Sequence, residues 1–192
     1  MKFKRIKLIA KGWSSYIWKI KLENGTICTL KETREKSNRK NLAEREGKYL
    51  TLANSIGVGS KIIEINFKKN YVIYKFVNGI TFLNWVFSSE FEIATKKEVY
   101  DFIKDLFRQV IALDSIGLRH TQLQVGKNIL VTKKITKNGE EKFVPTIIDF
   151  EKSSIDFDKR KEKNFGQIAS FLLYNPNGKI AQKIREKLNL KL

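Results

Sequence analysis

The chain has 192 residues and 42% hydrophobic content, with 13 Phe, 6 Tyr and 3 Trp, which suits one domain or two small lobes and excludes a disordered chain. A single Cys excludes a disulfide framework and a cysteine-based metal site. The net charge of +18 favours polyanionic partners such as nucleic acid, nucleotide or acidic protein, although Lys spread along the whole chain is equally the mark of a solvated surface.

The N-terminus is basic, and its only apolar run, "LIA", is too short for a signal-peptide core or a membrane span. The expectation is a cytoplasmic protein with no membrane contact. Residues 3–10, 16–22 and 26–32 read as antiparallel strands, the first two joined by the loop "KGWSS" and the last two by "ENGT", where Asn24-Gly25 predicts a type I′ turn. A helix follows, with Ser37 as candidate N-cap, Leu42, Glu46, Tyr49, Leu50 and Ala53 on one face, and Gly57 as its stop. A second hairpin occupies 61–76, and "VNGI" reads as a linker.

The second half turns helical. Thr95 and Glu98 form a capping box for a long helix whose apolar stripe runs through Val99, Phe102, Ile103, Leu106, Val110, Ile111 and Leu113, ending at Gly117. Two short strands, "NILVT" and "FVPTIID", come next, followed by two helices in the tail. The expected fold is α+β: a β-rich lobe with one helix over 1–77, then a reduced, mainly helical lobe over 78–192. A cleft between them is the expected ligand site.

Several residues fall in a telling order: the Gly turn, Lys31 in the third strand, Glu46 on the next helix, the loop "LRHTQLQVGKNILV", and Asp149 at the end of an apolar strand. This order resembles a protein kinase. It is most similar to small archaeal predicted serine/threonine kinases, related to RIO-type and other minimal kinases, through "KGWSS", "REGKYLTLAN", "IGVGSKI", "H-x-Q-L", "IIDFEKSS" and "NFGQIASFLL". The resemblance implies Mg²⁺ and ATP as cofactors. Gly12, Ser14 and Ser15 would form the phosphate turn, Lys31 would meet the α/β-phosphates with Glu46 as its partner, and Asn128 and Asp149 would hold Mg²⁺. The linker 74–79, Phe76 included, would meet the adenine through its backbone, and His120 would be structural.

Three positions depart from the kinase pattern. Gln122 stands where the acid is expected; an amide can orient a hydroxyl but cannot take a proton near neutral pH. One extra residue precedes Asn128, which gives Lys127 a chance to face phosphate. Glu151 replaces the glycine after Asp-Phe, as a third metal contact, a substitute base or a solvated surface charge. The reading is an atypical minimal kinase with weak phosphotransfer or ATPase activity. The phosphate acceptor would be an unknown protein or RNA. The rivals are a pseudokinase scaffold and an RNA-associated protein working through its basic surface.

Overall fold

The structure is a computed structural model that describes residues 1–37, 41–136, 138–156 and 163–191. It divides into two compact units: Met1–Val77 with Asp149–Ser153, and Asn78–Ile148 with Ser154–Leu192.

The first unit is built on strands β1 (Phe3–Lys11), β2 (Ser15–Leu22), β3 (Ile27–Thr33), β4 (Ile62–Asn66) and β5 (Tyr71–Lys75), with helix α1 (Leu42–Ser55) between β3 and β4. The sheet is ordered β1-β2-β3-β5-β4, every pairing antiparallel. Alternation along the strands sends Ile20, Leu22, Cys28, Leu30, Tyr71 and Ile73 to one buried cluster, against which Phe3, Trp18 and Ile63 pack. Lys31, next to Leu30, therefore points from the opposite face. A Cβ on Gly47 of α1 would lie 2.9 Å from Ile65 Cδ1, so glycine there sets how closely α1 approaches β4.

Two local expectations change. The non-glycine residues described with positive φ are Asn70, Asp149 and Asn189, so Asn24 lacks the left-handed conformation that a type I′ turn needs. Instead, Gly25 alone has positive φ, its N–H reaches Leu22 O at 2.9 Å, and Leu22 N–H reaches Thr26 O at 2.9 Å, a type I turn closed by a glycine bulge. Helix α1 starts at Leu42 with Asn41 as N-cap, not at Ser37, and the Asn41 side chain makes no capping bond. Asn70 supplies the missing acceptor: its Oδ1 takes the Ala43 N–H at 2.8 Å. At the other end, Gly57 adopts φ +75° while Gly57 N–H and Val58 N–H bond Asn54 O and Ala53 O, a Schellman closure that makes Gly57 the expected stop.

The second unit holds β6 (Ile80–Thr81), α2 (Phe82–Val86), α3 (Ser89–Ile93), α4 (Lys96–Ser115), β7 (Leu118–Arg119), β8 (Ile129–Ile135), β9 (Glu141–Ile147), β10 (Ser154–Ile155), α5 (Lys163–Ala169), a π turn over Ser170–Tyr174, and α6 (Lys179–Leu188). Strands pair as β6-β8-β9 and β7-β10. Helix α4 opens on the expected capping box: Glu98 Oε2 accepts from Thr95 N–H at 2.7 Å, and Thr95 Oγ1 accepts from Glu98 N–H at 3.2 Å. Val99, Phe102, Ile103, Leu106, Val110 and Leu113 are buried, but Ile111 is 51% exposed. It sits about 100° round the helix from Val110, outside the arc the others cover. Phe82 stacks on Phe102 with ring centroids 5.6 Å apart, and Trp85 meets Phe91 edge-on at 5.1 Å. Each such buried ring contributes about 2 kcal/mol of transfer free energy.

Candidate active site

In the first unit, Lys31 is 3% exposed and its ammonium is ringed by acids. Nζ donates to Glu46 Oε2 at 2.9 Å and to Asp149 Oδ1 at 2.6 Å, and lies 3.4 Å from Glu151 Oε2. Glu46, on the buried face of α1, also accepts the Phe150 N–H through Oε1 at 3.4 Å. Burial by itself would push Lys31 down, but the charges of Glu46 and then Asp149 outweigh it and hold the ammonium well above its usual range. Burial pushes Glu46 up; Lys31 opposes that push, and Asp149 adds to it. One positive charge thus serves three carboxyl groups.

Asp149 takes a left-handed backbone, φ 66° and ψ 63°, which costs a residue with a Cβ about 1–2 kcal/mol and is easiest for Asp and Asn. Its side chain is 38% exposed, unlike those of Lys31 and Glu46. Glu151 is not the solvated surface charge that a carboxylate after a bend suggests. It is 5% exposed, because its side chain turns inward toward Lys31 and toward Ser14, whose hydroxyl lies 3.4 and 3.5 Å from the two carboxyl oxygens. Arg45 holds this bend, donating through Nε to Glu151 O at 2.8 Å and through Nη2 to Ser153 O at 3.2 Å.

The Gly turn closes on itself. Gly12 N–H donates to Ser15 O at 2.9 Å, Ser14 O accepts the Arg34 N–H at 2.9 Å, and the Arg34 guanidinium donates to Gly12 O at 2.8 Å. Trp13 at the tip is 96% exposed, whereas Ser15 is buried. Of the three residues expected to cradle phosphate, Ser14 is the one whose side chain joins the Lys31 cluster, and the Gly12 amide is engaged within the turn. Phe76, in the segment after β5, is half-buried with Lys19 Nζ 4.6 Å from its ring centroid.

The second unit carries the loop residues. His120 is 1% exposed; its Nδ1 accepts the Gln122 N–H at 3.3 Å, and its Nε2 faces Ile148 O at 2.9 Å. A neutral ring protonated on Nε2 satisfies both contacts, so the structural role expected of His120 has a geometric basis. A 3₁₀ turn over Leu123–Val125 closes at Gly126, φ 66°, where a Cβ would lie 3.1 Å from Phe171 Cζ. This tight turn lies between Gln122 and Asn128, the stretch where the spacing departs from the kinase pattern. Asn128 Nδ2 donates to Gln122 O at 3.3 Å, which leaves its carbonyl oxygen as the acceptor end. Lys127 is exposed.

Sequence reasoning passed over two groups. Arg45 lies one residue before Glu46 and opens the motif "REGKYLTLAN" that carried the resemblance, but nothing in its spacing pointed to the Glu151 bend. Asn164, wholly buried, accepts the His120 N–H through Oδ1 at 2.8 Å and donates to Leu118 O at 2.8 Å and Asp114 Oδ1 at 2.7 Å. It sat inside a motif that carried the resemblance, but no spacing rule singled it out.

The donors suit Mg²⁺ in kind, since a half-exposed carboxylate and an amide oxygen are the hard ligands that ion prefers. Among the described residues, no group of three or more His, Cys, Asp or Glu side chains could hold a metal ion.

A β-sheet unit presenting a buried Lys–Glu pair, followed by a helical unit with a short hairpin, defines the protein-kinase-like fold. The Rio2 kinase of Chaetomium thermophilum, crystallised as an ADP/Mg²⁺-phosphoaspartate complex, matches with a TM-score of 0.63 over 95% of this chain at 16% identity. The chain spans 60% of that kinase's length. No family model matches the chain. Over 96 residues it is 35% identical to MJ1211, an uncharacterized protein of Methanocaldococcus jannaschii, covering 50% of this chain and 70% of the relative. The chain belongs to the family of that protein. None of its described helices is long and apolar enough to cross a membrane.

Proposed function

We propose that the protein binds ATP with Mg²⁺ and transfers phosphate slowly, as a minimal atypical serine/threonine kinase. The observation that carries this reading is the buried Lys31 ammonium held by Glu46 and Asp149. Lys31 would neutralise phosphate oxygens, and Glu46 would keep it extended toward them. Asp149 and Asn128 would hold Mg²⁺, which when bound screens the phosphate charge and polarises the transferred group. Gln122 would orient the attacking hydroxyl through its amide oxygen without removing the proton, so turnover rests on positioning alone and is slow. The ADP/Mg²⁺ complex of the structurally similar Rio2 kinase supports the choice of ligand.

Calorimetric titration with Mg-ATP should give binding at millimolar nucleotide or tighter, and Asp149→Ala should weaken it by at least about tenfold. No binding by the wild type removes the reading. Radiolabelled ATP then separates enzyme from scaffold: Asp149-dependent transfer supports the kinase, and binding without transfer supports a pseudokinase, the alternative that Gln122 favours. Lys127→Ala should weaken nucleotide binding by about two- to fivefold, the range of one exposed charge; an unchanged affinity and rate would take Lys127 out of the site. The acceptor would be a protein or RNA, with the +18 charge favouring RNA. Affinity for tRNA that falls steeply between low and moderate salt would support that acceptor, and salt-insensitive or absent binding would discard it.

A further inference from the structure

We infer that the Glu151 carboxylate is a built-in occupant of the phosphate site, which a nucleotide must displace before it binds fully. This inference rests on the nucleotide reading above.

Glu151 lies within 3.4–3.5 Å of two groups expected to meet phosphate oxygens, the Lys31 ammonium and the Ser14 hydroxyl. Nothing about a bend forces a Glu side chain into this position; a solvated rotamer would avoid two neighbouring carboxylates. It stays buried while Lys31 already has Glu46 and Asp149 as partners, so the ammonium has no need of a third acid. A buried carboxylate is expensive unless cationic and hydrogen-bonding groups surround it. The surroundings that make the spot tolerable for Glu151 are those that would attract a phosphate: an ammonium, a hydroxyl and exclusion of water. The Arg45 bonds to Glu151 O and Ser153 O fix the backbone, so the carboxylate is aimed rather than drifting.

An incoming phosphate carries the same sign of charge into the same space. Two states follow: one in which Glu151 bridges Lys31 and Ser14, and one in which it swings away and phosphate takes its contacts. The apparent affinity is reduced by the fraction of molecules in the first state. Adenosine has no phosphate and should not sense the difference.

The test compares binding of adenosine, ADP and inorganic pyrophosphate to wild type, Glu151→Gln and Glu151→Asp, each with EDTA and with Mg²⁺. Glu151→Gln keeps the size and removes the charge; ADP and pyrophosphate should bind about tenfold tighter, within the usual range of coupling between sites, with adenosine unchanged. Glu151→Asp withdraws the carboxylate by one methylene and should give a smaller gain, which preserves the test if the Gln variant fails to fold. Equal affinities across all three proteins overturn the inference and leave the nucleotide reading intact. Weaker binding by Glu151→Gln only when Mg²⁺ is present makes Glu151 a metal ligand instead, which also overturns it. No binding of any probe to any of the proteins removes both.

Discussion

Lys31→Met should lower stability by about 3–5 kcal/mol in urea unfolding, more than any other single change in the cluster. Met is unbranched and flexible like Lys and only one heavy atom shorter, so most of the packing is preserved and the loss is mainly electrostatic. What remains is Glu46, 1% exposed, and Glu151, 5% exposed, with Asp149 beside them and their shared ammonium gone. Glu46→Gln should cost far less, because Lys31 keeps Asp149 at 2.6 Å. The asymmetry is the informative part. An isolated ion pair loses similarly from either end, whereas one cation shared by three acids loses mainly when the cation goes. Adding Glu46→Leu to Lys31→Met should recover part of the loss, since the most deeply buried acid is then replaced by an apolar side chain. If Lys31→Met unfolds within about 1 kcal/mol of the wild type, the ammonium does not balance this site.

Asn164→Ala should cost about 2–4 kcal/mol, read by the same unfolding experiment and by faster hydrogen exchange at the His120 amide. Asn164 uses both ends of its amide, Oδ1 toward His120 N–H and Nδ2 toward Leu118 O and Asp114. Alanine removes all of these bonds from a buried position. Asp114 adds to the knot by accepting the backbone N–H of Asn164 at 3.0 Å and of Phe165 at 2.9 Å. Asn164→Asp should be no better than alanine, although it is nearly isosteric. It would set a second carboxylate against Asp114 and an acceptor against Leu118 O. Wild-type stability for Asn164→Asp would show that this amide does not organise the start of the His120 loop.

The elements that could be read from the sequence are those specified locally. Thr95 and Glu98 cap α4 because the two residues make the box between themselves, and Gly57 stops α1 because its own backbone conformation closes the helix. Lys31 and Glu46 were found through their order along the chain and meet at 2.9 Å. Reading failed where a distant residue decides. Ser37 has the chemistry of an N-cap, yet α1 is capped from Asn70, 27 positions from the Ala43 amide it accepts. For Glu151 the sequence left a metal contact, a base and a surface charge open, and what decides its burial lies far away: Arg45, 106 positions off, grips its backbone, and the Ser14 hydroxyl, 137 positions off, faces its carboxylate. Asn164 works through Leu118 and His120, which lie 46 and 44 positions earlier. No periodicity encodes such pairings.

The left-handed backbone at Asp149 sets stability against chemistry at a single position. Glycine there would relieve the conformational cost of a Cβ and remove one of three crowded acids. A library screened only for heat resistance should therefore enrich Asp149→Gly, with Asp149→Asn next because asparagine tolerates the same φ. Both replacements discard the carboxylate. A thermostable variant obtained by blind selection would thus reach its higher melting point by giving up the residue proposed to hold the metal, and sequencing this codon before assaying any such variant would reveal the exchange.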